Sequence, residues 1–134
     1  MDNSILSICI PTFNRADFLK QCLNSIVLQF KDKSISESVE IVISDNNSPD
    51  NTESVVKEFQ KIFSNVYYYK NSKNIGVDRN ILNVVAKAKG EFVWFLGDDD
   101  TLFPGAIDYI LQEIKAKKFD FSLVNCLGYD HFLI

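Results

Sequence analysis

The chain has 134 residues, 46% of them hydrophobic and 24% charged, with a formal net charge of −4. That length suits one domain with a real core, and scattered Lys and Arg under a net negative charge argue against a nucleic-acid-binding face. Cys9, Cys22 and Cys126 sit singly in apolar stretches with no CxxC or Cys/His grouping. A zinc site is therefore not expected, and three reduced core thiols of a cytosolic protein are. The N-terminus shows no basic-then-apolar leader, and no apolar run reaches the length of a membrane span.

Residues 5–10 are apolar and β-branched and predict a first strand, ended by Pro11. Phe18, Leu19, Cys22, Leu23, Ile26, Val27 and Phe30 then recur at helical spacing on one face. Residues 39–43 predict a second strand, followed by a polar loop over 44–51. Ser48 before Pro49 reads as an N-cap with a first-turn proline; Asp50 with Glu53 reads equally well as a capping box. Val55, Val56, Phe59, Ile62 and Phe63 mark the second helix.

Residues 66–69 predict a third strand and 70–77 a polar loop. Asp78 is expected to cap a third helix carrying Ile81, Leu82, Val85 and Ala88, with Gly90 ending it as a C′ glycine. Residues 91–96 predict a fourth strand. Pro104 is expected to open a fourth helix with Ile107, Ile110, Leu111 and Ile114, and residues 119–124 a fifth strand.

Alternating strands and helices predict an α/β fold with a parallel sheet covered on both faces. The loops after the strands then share one edge, where open parallel sheets bind ligands. Thr12, Asn14, Arg15, Asp45, Asn46, Asn47, Asp98, Asp99 and Asp100 all fall in those loops. The last three follow directly on Phe92-Val-Trp-Phe-Leu-Gly97. Adjacent carboxylates repel one another and make sense where a divalent cation, or a ligand carrying one, neutralises them. A solvated acidic turn capping the next helix is the alternative.

Several chemistries lack their motifs. There is no GxGxxG after the first strand, no GxxxxGK[ST] and no GxSxG elbow, and the single histidine is His131. Neither acidic loop has the offsets of a calcium-binding loop.

Five blocks resemble the inverting glycosyltransferases of family 2, which have the GT-A fold, a Rossmann-like parallel-sheet architecture. They are Ser7-Ile-Cys-Ile-Pro-Thr-Phe-Asn-Arg15, Ile41-Val-Ile-Ser-Asp-Asn-Asn-Ser-Pro-Asp-Asn-Thr52, Asn74-Ile-Gly-Val-Asp-Arg-Asn80, Ala88-Lys-Gly-Glu-Phe-Val-Trp-Phe-Leu96 and Asp98-Asp-Asp-Thr-Leu-Phe-Pro104. In order and spacing they cover nearly the whole chain, residues 1–134 reading as one donor-binding domain truncated after the fifth strand.

The resemblance implies a nucleotide-diphosphosugar donor of UDP, GDP or CDP type and a carbohydrate or lipid-linked acceptor. It implies that Pro11, Thr12, Phe13 and Asp45 hold the base. Asp45 can accept from a base N–H or a ribose hydroxyl; as a turn former beside Asn46 it needs no ligand. Arg15 reads as a base or phosphate contact or as a solvated side chain. Arg79 faces the donor phosphates or pairs with Asp78. Asn80 reads as its partner in the family's Arg-Asn pair or as an ordinary first-turn residue.

Counting back from Pro104, the family's DxD falls on Gly97-Asp98-Asp99, so its first Asp is Gly here. The resemblance assigns metal ligation to Asp99 first, then to Asp98 or Asp100, with Mg2+ or Mn2+ as the ion. The catalytic base is expected beyond Ile134. The apolar finish Phe132-Leu-Ile134 reads as the cut end of a longer protein, and homo-oligomers through it or through the fifth strand are expected. A cytoplasmic location is expected, with peripheral association at the inner membrane face left open. Two readings stand beside the transferase: a non-catalytic nucleotide-binding or protein-interaction module, and a nucleotidyltransferase, which would need a glycine-rich opening loop.

Overall fold

The computed structural model of the protein describes residues 4–116 and Asp120. Four parallel strands run β1 (Leu6–Thr12), β2 (Val39–Asp45), β3 (Val66–Lys70) and β4 (Phe92–Phe95), in the order β3-β2-β1-β4. Between them lie α1 (Ala16–Val27), α2 (Lys33–Ser38), α3 (Thr52–Gln60) and α4 (Val77–Ala86), with α5 (Ala106–Lys115) after β4. The expected fifth strand, Cys126, His131 and the apolar tail lie outside the described residues.

The two central strands are apolar on both faces because both faces are covered. Leu6, Ile8 and Ile10 of β1 lie opposite Val39, Ile41 and Ile43 of β2. Together they form one layer of the main core, against Leu19, Cys22, Leu23 and Ile26 of α1, Val55, Val56 and Phe59 of α3, and Ile107, Leu111 and Ile114 of α5. On the opposite face Cys9 and Val42 meet Val84 of α4, which crosses from one sheet edge to the other. Val93 and Phe95 of β4 share that second face, beyond the reach of α4, and are 43% and 46% exposed.

Several boundaries differ from the sequence reading, each for a local reason. Pro11 does not end the first strand; it pairs with Ser44 inside β1. The carbonyl of Cys9 faces β4 and takes the Leu96 amide, so the nitrogen of Pro11, two residues on, faces the same side after β4 has ended. The missing N–H therefore removes no ladder bond. The apolar face of α1 runs on to Phe30 through a 3-10 turn, Leu28–Lys31. The following helix, α2, was not foreseen.

The second helix begins at Thr52 after Asn51, with no side-chain cap bond from Asn51. Asp50 instead accepts from the Thr52 amide and hydroxyl, and from Ala16 N of the neighbouring loop at 3.0 Å. Asp78 is not the cap of α4; that position is Gly76, at φ 86. Pro104 lies in the turn before α5, whose cap is Gly105.

Gly90 is not a helix C′ residue either, because α4 ends at Ala86. The chain here passes against β1: a Cβ on Gly90 would lie 2.8 Å from Ser7 N and 2.9 Å from Leu6 C. Its amide donates to Ser7 Oγ, which in turn donates to the buried Glu40 at 2.5 Å. Glu40 also accepts from Lys89 N at 2.7 Å. A buried carboxylate thus ties β1, β2 and the approach to β4 together at the sheet end opposite the functional loops.

Candidate nucleotide-binding edge

The loops that follow the strands, residues 13–15, 46–51, 71–76 and 96–105, meet at the carboxyl edge of the sheet. The first two are locked together. Asn46 N donates to Thr12 O, Asn14 N to Ser48 Oγ at 2.8 Å, and Ala16 N to Asp50 Oδ2. Asn14 and Asn47 take left-handed backbone conformations (φ 53 and 66), which asparagine tolerates better than most residues.

Asp98 is the centre of the acidic end. Its carboxylate is buried, not solvated, and accepts from Thr12 Oγ1 at 2.8 Å. Arg15 Nη1 reaches Asp98 Oδ1 at 3.2 Å and Asp99 Oδ2 at 3.5 Å. Burial pushes the Asp98 carboxyl above the usual carboxylate range, while the Thr12 hydroxyl and the Arg15 guanidinium pull it back. Thr12 therefore does more than end a strand: its hydroxyl aims the buried carboxylate.

The three consecutive carboxylates do not converge on one point. Asp98 turns inward, Asp99 stands exposed at the edge, and Asp100 folds back so that Oδ2 accepts from Gly97 N at 3.2 Å. Among the described residues no three acidic, His or Cys side chains form a ready metal cage. Gly97 lies close against the ends of two neighbouring carboxylates. A Cβ there would lie 2.9 Å from Asp100 Oδ2 and 3.0 Å from Asp99 Oδ1. Cys22 Sγ supports the same turn through Gly97 O at 3.7 Å. Its thiol is held protonated by burial and by the three neighbouring carboxylates; burial likewise pushes Cys9 to about 12, with Glu40 adding to it. Both buried cysteines are thus held in the thiol form, the weaker nucleophile.

Asp45 is fully buried. Oδ1 accepts from Ser48 N and Oγ at 2.8 and 2.6 Å, and Oδ2 accepts from the Tyr68 hydroxyl. Burial, and after it the hydrogen bond to Asp45, push the Tyr68 phenol well above its ordinary range, so it stays a donor. Phe13, by contrast, is 42% exposed beside the half-buried Pro11.

A network of asparagines, not foreseen from the sequence, braces the third loop. Asn80 Oδ1 accepts from Ser44 Oγ at 2.8 Å and from Asn71 Nδ2 at 2.9 Å, while its Nδ2 donates to Ser44 O at 2.9 Å. Asn83 Nδ2 donates to Asn71 Oδ1 and Ser44 Oγ. Asn46 accepts from Asn71 and from Ile75 N, and donates to Asn74. Asn80 is thus a buried anchor to β2. Arg79, beside it, is exposed, and no ion pair to Asp78 forms among the described residues.

A cleft of about 460 Å³ lined by Leu28, Gln29, Ile35, Leu102 and Pro104 touches only the far end of the last loop, and no charged side chain lines it. The convergent loops, not this apolar cleft, define the candidate site. No helix among the described residues is long and apolar enough to cross a membrane.

The parallel sheet and its flanking helices are an α/β fold of GT-A type, with an acidic, loop-built carboxyl edge. The profile of glycosyl transferase family 2 matches residues 7–132, and the chain belongs to that family. It is 41% identical over 122 residues to the abequosyltransferase RfbV of Salmonella typhimurium, covering 90% of this chain and 35% of that protein. It is 42% identical over 124 residues to the GalNAc(5)-diNAcBac-PP-undecaprenol beta-1,3-glucosyltransferase of Campylobacter jejuni, covering 91% and 38%. The chain thus spans little more than a third of those relatives. Among solved structures, S. aureus TarS in complex with UDP-GlcNAc superposes with a TM-score of 0.72 at 25% identity, over 83% of this chain and 31% of that one.

Proposed function

We propose that this chain supplies the donor site of a metal-assisted glycosyltransferase, which moves a sugar from a nucleotide-diphosphosugar to an acceptor hydroxyl. The observation that carries the reading is the Thr12–Asp98–Arg15–Asp99 cluster at the carboxyl edge of the sheet. The family membership and the similarity to a UDP-GlcNAc complex support it.

The residues fit a divalent ion on their own chemistry. Asp98 and Asp99 are hard oxygen donors already drawn to one cation, the Arg15 guanidinium. Among the described residues too few protein ligands are present for a closed cage, which suits Mg2+ or Mn2+ shared with a diphosphate. Asp99, the exposed carboxylate, is the first ligand and Asp98 the second. Asp100 would have to leave the Gly97 amide to join them. When bound, the ion supplies charge for the departing nucleoside diphosphate.

The Thr12 hydroxyl keeps the Asp98 carboxylate oriented, while the Gly97 amide holds Asp100. Pro11 and the exposed Phe13 offer an apolar surface to the base. Asp45 frames that slot through Ser48 and Tyr68; direct contact with a base requires Tyr68 to release it. Arg79 is held at the edge by the anchored Asn80 and is open to phosphate oxygens. The catalytic base is not assigned to these residues.

Calorimetry with UDP-, GDP- and CDP-sugars, with and without Mn2+, tests this. One of the three is expected to bind, more tightly with Mn2+, and Asp99→Asn should remove most of the Mn2+ enhancement. A folded sample that binds none of them overturns the proposal.

A further inference from the structure

Arg15 stands where the proposed metal has to act. Among the described residues its guanidinium is the cation paired with the two carboxylates, at 3.2 Å from Asp98 and 3.5 Å from Asp99. Two carboxylates against one guanidinium leave one negative charge uncompensated. A divalent ion would compensate both and leave Arg15 without a partner. The diphosphate that arrives with the ion carries new negative charge at the same edge. A guanidinium suits it better than it suits carboxylates already bound to a metal.

The backbone around Arg15 is fixed while its side chain is not. Asn14 N is tied to Ser48 Oγ, Ala16 N to Asp50 Oδ2, and Arg15 O accepts from Leu19 N as α1 begins. The side chain is 52% exposed and its two ion pairs are single-point contacts through Nη1. The pair to Asp99 is exposed at both ends and weak; the pair to buried Asp98 is stronger, yet it is a single contact that a divalent ion on the same carboxylates can displace. A change of state at Arg15 therefore needs a new side-chain rotamer only.

Resting on the donor-site reading above, we infer that Arg15 is a resident counter-ion: it balances Asp98 and Asp99 while the site is empty of donor, yields them to the divalent ion, and then pairs with the donor's diphosphate. Its removal acts in opposite directions on the two binding steps. Without nucleotide, the metal no longer competes with a guanidinium. With nucleotide, a phosphate contact is missing. A purely structural Arg15 would weaken both.

The test is Mn2+ binding followed by electron paramagnetic resonance, with and without UDP, GDP or CDP, on the parent, Arg15→Gln and Arg15→Lys. Thermal melts establish that each is folded. Arg15→Gln should bind Mn2+ alone at least about twofold more tightly, the gain expected from losing even the exposed Asp99 pair. In saturating Mn2+ it should bind the preferred nucleotide about two- to tenfold more weakly. Arg15→Lys, which keeps the competing charge, should stay near the parent in Mn2+ alone. Unchanged or weaker binding of Mn2+ alone by Arg15→Gln overturns the inference, while the donor site stands. Tighter binding of both overturns the second step, making Arg15 a simple blocker. A folded parent that binds neither Mn2+ nor any of the nucleotides overturns the donor site and the inference together.

Discussion

Replacing Asn80 by alanine should be among the most destabilising single changes at the functional edge. The side chain is buried and makes three hydrogen bonds, two to Ser44 and one to Asn71, all between 2.8 and 2.9 Å. Each is worth about 1 kcal/mol net, so roughly 3 kcal/mol is lost. Alanine returns up to about 0.7 kcal/mol in helix propensity within α4. The loss wins, and the expected change is about 2–3 kcal/mol. Asn80→Asp should not rescue it, because an oxygen would then face the Ser44 carbonyl that Nδ2 now serves. Urea denaturation followed by circular dichroism measures the change. A double-mutant cycle with Ser44→Ala should show a coupling of about 1 kcal/mol. Nucleotide binding should weaken as well, since the same amide fixes the start of α4 beside Arg79. If Asn80→Ala lies within about 0.5 kcal/mol of the parent, or adds without coupling to Ser44→Ala, the network is not a stabilising unit.

Other substitutions probe separate parts of the account. Gly90→Ala pushes a Cβ against Ser7 N and Leu6 C, which are backbone and cannot turn aside; a loss of about 1–3 kcal/mol is expected in the same denaturation assay. Burial alone would raise the Asp50 carboxyl, but hydrogen bonds from the Thr52 hydroxyl and the Ala16 and Thr52 amides outweigh it and hold it below the ordinary carboxylate range. A depressed folded value means stability that is present above the unfolded pKa and lost as pH falls through the folded one. Asp50→Ala should therefore lower stability by about 1 kcal/mol at neutral pH, and the gap to the parent should close as pH drops below the ordinary carboxylate range; a pH-independent gap contradicts this. Thr12→Val keeps the shape but removes the donor to Asp98, and should weaken Mn2+-dependent nucleotide binding while Mn2+-independent binding changes little; equal loss of both would remove Thr12 from the metal side of the site.

The alternation of elements was legible because each strand is a short run rich in β-branched or aromatic residues and each long helix has one apolar face. Helix α2 was not. Its six residues carry a single buried apolar side chain, Ile35, so no period can show; only Asp32, which accepts from Ser34 N and Oγ, marks its start. Pro11 misled as a strand end because its neighbour strand stops short, a fact of topology absent from local sequence. The collection of Thr12, Arg15 and Asp98 at one edge followed from the order of elements alone. Their pairing did not, since consecutive carboxylates in a turn point in different directions. Asp45 was marked for base contact and Asn80 for the Arg-Asn pair, each beside a plain turn or first-turn reading, but the burial of both was not legible, because polar side chains of those types sit exposed far more often than buried. The cluster Asn71, Asn74, Asn80, Asn83 was the available signal: amides repeated on both sides of a loop can satisfy one another where water is excluded.

The central claim is that donor and metal meet at the loops carrying Thr12, Arg15 and Asp98–Asp99. Its most direct test is amide NMR of the 15N-labelled protein, with nucleotide bound in Mg2+ and then titrated with traces of paramagnetic Mn2+. The account predicts selective broadening at residues 12–15 and 97–100, reaching toward 76–80, with the Glu40 end of the sheet unaffected. Broadening centred elsewhere, or none with nucleotide bound, would contradict it.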